Sequence, residues 1–236
     1  MKNQQNFEDF WTASSLNRHN IRDFARAFEN YDSDDKQMTL EFPLKTEPLR
    51  LRQTALDKIA KERKSSREFS GKPLSLKELS RTLSGFYAWN GLEHRGFPSA
   101  GATYAVEIFI IAFKIEKYTG NILYYDAAEH GVVTVGKAPC WEEAHKSLNV
   151  GVKGEPAALI IFTVFDERAT AKYGERGGRF ALLEAGAAMQ QLSLQVAGSK
   201  KLKGVILGGA YDETWMTILG LGETNAKIAC CYLLGK

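Results

Sequence analysis

Arg63-Lys64-Ser65-Ser66-Arg67-Glu68-Phe69 is the stretch from which the rest of this chain is best read. In an extended segment alternate side chains point to one side, so Arg63, Ser65 and Arg67 would share a face. Two guanidinium forks and a hydroxyl on one face suit an anionic ligand, because arginine meets a phosphate or a polar ring edge bidentately. Each charge-assisted hydrogen bond of that kind is worth roughly 1.5–3 kcal/mol. Taken alone, the stretch reads as readily as a solvated surface turn, since charged side chains are mostly exposed.

Working outward, Leu56 and Ile59 give a short helical pattern before the stretch, and Gly71-Lys72-Pro73 turns the chain after it. Ser75-Leu76-Lys77-Glu78 fits a capping box, followed by Leu76, Leu79, Leu83 and Phe86 at helical spacing. Pro98-Ser99-Ala100-Gly101 comes next; Ala100 and Gly101 remove side-chain bulk where backbone could approach a flat ligand, and Ser99 adds a hydroxyl. An ordinary loop before a strand is the alternative. Val106 to Ile115 is apolar on both alternating faces, which marks a strand covered on both sides. Ile122 to Asp126 completes a hairpin across Gly120, Val132 to Val135 makes a brief strand, and Ala157 to Phe165 a second buried one. Pro139 to Leu148 reads as a short helix.

Residues 170–179 are polar and glycine-rich and read as a loop into a long helix, Phe180 to Val196. That helix is apolar nearly all round, which predicts burial in a core or an interface. Gly198 is placed to stop it. Gly204 to Leu207 reads as a short strand ending in Gly208-Gly209. Asp212 can cap a helix holding Trp215, Ile218 and Leu219, and Ile228 to Leu234 is the last strand. At the other end of the chain, residues from about Asn6 to Asp35 read as helical, and Thr39 to Pro43 as a short edge strand. Strands and helices mix without strict alternation, so the expected class is α+β, a central, mostly antiparallel sheet flanked by helices. The division expected is an N-terminal helical arm over residues 1–50 and a main domain over 51–236.

The ordered set of the Arg63 stretch, Pro98-Ser99-Ala100-Gly101, Arg179-Phe180-Ala181-Leu182-Leu183-Glu184-Ala185-Gly186 and Leu207-Gly208-Gly209 resembles the nitroreductase-like flavoproteins, and within them the SagB-type dehydrogenases. The resemblance implies a dimer-forming fold that binds FMN at a homodimer interface and passes hydride through flavin N5. It implies that Arg63 and Ser65 meet the FMN phosphate and that Arg67 lies near the ribityl chain or the pyrimidine edge. A cation there stabilises the negative charge of the reduced ring. Pro98, Ser99, Ala100 and Gly101 would approach the cofactor from the partner chain. Leu207, Gly208 and Gly209 would form the loop facing N5, with Glu184 and Gly186 as further cofactor-side residues. For Glu184 a buried, paired structural carboxylate is the alternative.

Lys172-Tyr173 resembles the pair with catalytic roles in azoline-oxidising members, which turn thiazolines and oxazolines of peptides into azoles. That chemistry needs a base for a carbon-bound proton; a solvated loop lysine beside a packing tyrosine is the other reading. NAD(P)H is a candidate electron donor, and the substrate is a small molecule or a peptide. A non-catalytic flavin-binding or assembly subunit of a peptide-modifying complex is the alternative function. Lys236 is the last basic residue that a phosphate site could use.

Composition narrows the field. The 236 residues carry a net charge of only +3, with no dense basic stripe, so nucleic acid is not indicated. No apolar run is long enough to span a bilayer, and Met1 to Phe7 lacks the apolar core of a signal peptide, which points to a cytoplasmic protein. Cys140, Cys230 and Cys231 form no CxxC pair, and the four histidines show no metal-ligand spacing. There is no G-x-G-x-x-G after a strand and no Walker loop.

Overall fold

The structure is a computed structural model, and it describes residues 5–23, 26, 49, 50, 52–89 and 94–236. Six antiparallel strands form one sheet in the order β3-β2-β1-β4-β6-β5. They are β1 (Val106–Ala112), β2 (Asn121–Asp126), β3 (Gly131–Lys137), β4 (Ala158–Val164), β5 (Lys203–Leu207) and β6 (Lys227–Gly235). The helices are α1 (Gln5–Ser14), α2 (Ala55–Glu62), α3 (Leu76–Leu83), α4 (Trp141–Ala144), α5 (Glu167–Tyr173), α6 (Arg176–Ala197) and α7 (Asp212–Ile218). The expected α+β class, with a central antiparallel sheet and flanking helices, is what is observed.

The continuous apolar runs have a plain cause. On β1, Ile108 and Ile110 face a cluster with Phe86, Phe162 and the α6 residues Ala185, Ala188 and Leu192. Phe109 and Ile111 face a second cluster on the opposite side, with Trp141, Trp215 and Ile161. The middle strands are therefore covered twice, and period-2 polarity is absent from them. On α3 the Ser75 backbone N–H donates to Glu78 Oε2 at 2.9 Å and the Glu78 N–H donates to Ser75 Oγ at 3.3 Å, the expected capping box. Thr54 and Asp57 cap α2 in the same way.

Three expectations are corrected. Residues 170–179 are mostly helical: α5 runs to Tyr173, Gly174 turns the chain at φ +57°, and α6 begins at Arg176. The glycines inside α6 serve close packing rather than a loop. A Cβ on Gly177 would meet the Ala169 backbone at 2.5 Å, and one on Gly178 would meet the Phe7 ring at 2.5 Å. Asp212 does not cap α7; it is that helix's first residue, and its carboxylate Oδ2 accepts from the Leu16 N–H at 2.7 Å. The helix expected from Asn6 to Asp35 is interrupted rather than continuous: it breaks after Ser14, where Ser15 to Asn20 turn around the Asn17 and Asn20 side chains, and resumes at residues 21–23, most of the remainder lying outside the described residues. The strand expected at Thr39 to Pro43 lies outside the described residues.

Helix α6 is buried on one face only. Ala181, Glu184, Ala185, Ala188, Leu192 and Val196 face the sheet, while Arg179, Leu183 and Gln190 are exposed on the other side. Leu183 is 69% exposed. Helix α1 lies across the start of α6 through Phe7, and Glu8 reaches the buried Lys227 at 2.8 Å. Lys227 is also paired with buried Asp166 at 2.7 Å. Burial works against the Lys227 charge, but the Asp166 and Glu8 carboxylates outweigh it and hold its pKa above the usual lysine value.

Candidate active site

Two separate groups of predicted residues gather on the α6 side of the sheet. The first lies along edge strand β5. Its register pairs Gly204 with Leu234 and Ile206 with Tyr232, both in the α6-side cluster, so Gly204, Ile206 and Gly208 form one row facing that side. The row is poor in side chains. The Tyr232 ring lies over Gly204 where a Cβ would collide with it, Ile206 is 39% exposed, and a Cβ on Gly208 would meet nothing. From Gly204 to Gly208 the row is about 13 Å long, at ~3.3 Å per residue.

Each end of the row opens into a cavity that α6 also borders. Beside Gly208 a cavity of about 220 Å³ is lined by Leu182, Asp212, Ile228 and Ala229, with Phe10 and Trp11 of α1 as its roof. Burial pushes the Asp212 carboxyl up to about 6, against the lowering effect of the Leu16 N–H. At the Gly204 end a groove of about 680 Å³ lies between α2 and the last turn of α6. The Arg63 stretch enters here: the Ser66 N–H donates to Gly204 O at 2.9 Å, and Arg67 O accepts from Lys153 N at 2.8 Å. The stretch is extended where it leaves α2 at Arg63. Lys64 and Ser66 line the groove; Arg63, Ser65 and Arg67 do not, and are exposed. Lys236 is committed elsewhere, its Nζ 2.8 Å from Glu78 Oε2. That lysine works with the capping bonds against burial to hold the Glu78 carboxyl below its usual value.

The second group surrounds the loop Ser99–Tyr104. Glu184, 3% exposed, accepts from Ser99 Oγ at 2.5 Å and from the Val106 N–H at 3.0 Å. Ser99 Oγ in turn accepts from the Tyr104 N–H at 2.9 Å. Arg168 Nη1 donates to Tyr104 O at 2.7 Å and to Glu107 Oε1 at 2.5 Å, and Glu107 Oε2 accepts from the Tyr124 hydroxyl at 2.9 Å. Burial beside that carboxylate pushes the Tyr124 hydroxyl up to about 12. The loop stores strain: Ala102 and Tyr104 sit at φ +53° and +42°. Lys172 Nζ donates to Gly101 O at 3.1 Å. A Cβ on Gly101, itself at φ +59°, would run into both the Tyr173 hydroxyl and the Lys172 ammonium. The Tyr173 ring is held edge-on against Phe180, centroids 5.0 Å apart.

The structure thus brings Ser99, Ala100, Gly101, Lys172, Tyr173 and Glu184 together, with Pro98 exposed at the loop's start. It does not bring them to the β5 row in the same chain. β1 and β5 are three places apart in the sheet, about 14 Å at ~4.8 Å per step. Leu207 turns its side chain into the core, leaving only its backbone for a ligand. Gly186 stands on the outer face of α6 with nothing near a would-be Cβ. Arg168 and Glu107 were not anticipated; the signal for Glu107 was a lone carboxylate inside an apolar strand. Lys227, directly before an apolar run, was likewise passed over.

The family profile described as Nitroreductase family matches residues 60–236. The chain belongs to the nitroreductase family. It is 33% identical over 175 residues to MJ1384 of Methanocaldococcus jannaschii, described as a nitroreductase, covering 71% of this chain and 85% of that protein. Among solved structures it resembles a chain of the Escherichia coli microcin synthetase McbBCD complex with truncated pro-MccB17 bound, with TM-score 0.72 and 19% identity over 97% of this chain and 91% of that one. It also resembles a nitroreductase from Desulfovibrio desulfuricans in complex with FMN, with TM-score 0.55 and 17% identity over 78% of this chain and 87% of that one. Among the described residues no helix is long and apolar enough to cross a membrane.

Proposed function

We propose that this chain is an FMN-dependent oxidoreductase that works as a homodimer. The observation that carries the reading is the open row Gly204-Ile206-Gly208, which joins a cationic end to a glycine turn over a length suited to an extended flavin mononucleotide. The FMN-bound relative of the same fold supports it. The residues present fit the cofactor: the Arg63–Arg67 stretch supplies the phosphate end, and Gly208 and Gly209 offer bare backbone at the ring end. The bound flavin would supply two-electron chemistry, taking up and releasing hydride at N5.

The second copy has a definite task. The loop Ser99–Gly101 stands about 14 Å from the row within one chain, so the partner's loop is what reaches the cofactor. The stripe of exposed Arg179, Leu183 and Gln190, with half-buried Gly186 between them, is the face of α6 across which the copies meet. Glu184 holds that loop through Ser99 and Val106 and gives the cofactor's side a fixed shape.

For substrate, Lys172 and Tyr173 favour peptide azoline oxidation over reduction of small nitro compounds. Both polar atoms stand over Gly101, so a substrate carbon brought there would lie beside two groups, either of which can take its proton once it has given up its own to solvent. The fold likeness to a subunit of a peptide-modifying synthetase agrees with this. The test is an absorbance spectrum of the purified protein, before and after NADH or NADPH without oxygen, followed by a thiazoline peptide. Yellow protein releasing FMN on heating, unbleached by nicotinamide and forming azole under air, is the expected result. Bleaching by nicotinamide selects the small-molecule reductase, and colourless protein that refuses FMN removes the flavin reading. Unchanged azole formation by Lys172→Ala would remove the assigned base.

A further inference from the structure

Helix α1 is lightly held for a helix that roofs a cavity. From Asn6 to Ser14 none of its residues is buried, and only Phe7, Glu8 and Trp11 are half-buried. Open space runs along both of its flanks. A groove of about 620 Å³ lies between it and the start of α6, and one of about 610 Å³ between it and α7. Beneath it is the Gly208 cavity, which shares Phe10 and Leu182 with the first groove and Trp11 and Asp212 with the second. Phe10 and Trp11 therefore form the partition between that cavity and the space outside. At about 220 Å³ the cavity is smaller than the ~300–1,000 Å³ usual for sites that hold small organic molecules. A flat ring and a substrate can share it only if α1 moves.

The two ends of α1 are held in different ways. Just past its C-terminal end Leu16 is buried and clamped twice to Asp212: its N–H donates to Asp212 Oδ2 at 2.7 Å, and its carbonyl accepts from the Asp212 N–H at 3.2 Å. Near the N-terminal end the ties are the Phe7 ring against Gly178 and the Glu8–Lys227 pair at 2.8 Å. That pair can part without stranding a charge. Lys227 keeps Asp166 at 2.7 Å and the Asn225 carbonyl at 3.1 Å, while Glu8, whose side chain is 47% exposed, goes to water.

We propose that α1 is a hinged lid over the Gly208 end of the site, pivoting at Leu16, latched by Glu8 on Lys227, and closing Phe10 and Trp11 over the bound ligand. That the covered ligand is a flavin rests on the reading above. Closed, the two rings exclude water from the ligand and limit the thickness of substrate that fits on it; lifted, they join the cavity to both grooves and let a ligand in or out.

The test mixes the full-length apo-protein with rising concentrations of FMN or riboflavin in stopped flow. Wild type is compared with Phe7→Ala/Glu8→Gln, whose folding is confirmed by thermal melts. A lid makes the binding rate level off at the opening rate, and the plateau is the same for both flavins because the lid is not at the phosphate end. In the variant the plateau is expected to rise at least about fivefold. A wild-type rate that climbs in proportion to flavin throughout overturns the lid and leaves the flavin reading standing, and an unchanged plateau in the variant overturns it as well. The lid is also read without flavin, from acrylamide quenching of Trp11, taken as the difference that Trp11→Phe makes in each background. Quenching should strengthen at least about twofold in the latch variant. Unchanged quenching overturns the lid whether or not flavin binds. If neither flavin binds, the oxidoreductase reading fails on its own, and stronger quenching in the variant still upholds the lid.

Discussion

Glu184→Ala strands two donors in the middle of the protein. Ser99 Oγ–H and the Val106 N–H both end on this carboxylate, and at 3% exposure no water replaces it. A hydrogen bond to a charged acceptor is worth roughly 1.5–3 kcal/mol, and a buried donor left unpaired costs about 1–3 kcal/mol. The expected loss is about 3–5 kcal/mol. For a domain of this size that corresponds to a fall in Tm of roughly 6–20 °C. Glu184→Gln keeps one oxygen for Val106 and turns an amide NH2 toward Ser99 Oγ, which can accept it; about 1–2 kcal/mol is expected. The assay is urea unfolding of the apo-protein at neutral pH, with FMN affinity measured in parallel. If Glu184→Ala unfolds within about 0.5 kcal/mol of wild type while FMN affinity collapses, the carboxylate is a cofactor contact and the latch described above is wrong.

Four further residues carry expected outcomes. Lys227→Met leaves Asp166 buried without its cation and should cost about 3–5 kcal/mol in urea unfolding. In the wild type the raised Lys227 pKa means its contribution is complete below the usual 10.5 and disappears as pH climbs through the higher folded value, which an alkaline titration of Tm reads. Asp212, raised from 3.8 to about 6, binds its proton more tightly folded than unfolded, so stability should decline as pH rises between those values. Asp212→Asn keeps an acceptor for Leu16 and should flatten that decline, gaining about 1–2 kcal/mol at pH 8 once partial exposure is discounted. Gly101→Ala meets both a left-handed backbone, at about 1–2 kcal/mol, and the Lys172 and Tyr173 head groups. Azole formation should be lost while the melt shifts only a few degrees; full activity in this variant would detach the pair from the chemistry. Leu183→Glu changes an exposed residue and should leave the fold intact within about 0.5 kcal/mol, yet convert dimer to monomer in sedimentation and lower FMN retention.

The strands were legible because two-sided burial writes itself as unbroken apolar runs at Val106 to Ile115 and Ala157 to Phe165. The α3 capping box was legible because its partners are three residues apart. The α5–α6 junction was misread for a physical reason: Gly174 is there for its backbone angle, whereas Gly177 and Gly178 are there because the Ala169 backbone and the Phe7 ring come close. Composition cannot separate those two uses of glycine. The Ser99–Glu184 bond spans 85 residues and leaves no local trace. Alternation of the Arg63 stretch was readable, but which phase meets the groove depends on where α2 and the α6–β5 turn come to rest.

Strand order explains why the site could be listed from sequence and still not be assembled in one chain. The Ser99 loop precedes β1 and the glycine turn follows β5, and β4 and β6 are inserted between those two strands. A sheet cannot close that gap by side-chain movement, since each intervening strand fixes a spacing of about 4.8 Å. Helix α6 crosses the gap, carrying Glu184 at the loop and Ser193 and Val196 at the groove, but its exposed face points away from both. In the proposed homodimer, a second copy laid against that face would set one chain's strained, latched loop over the other chain's bare row. The strain at Ala102 and Tyr104 would then serve to hold the loop in the shape that proposed arrangement needs.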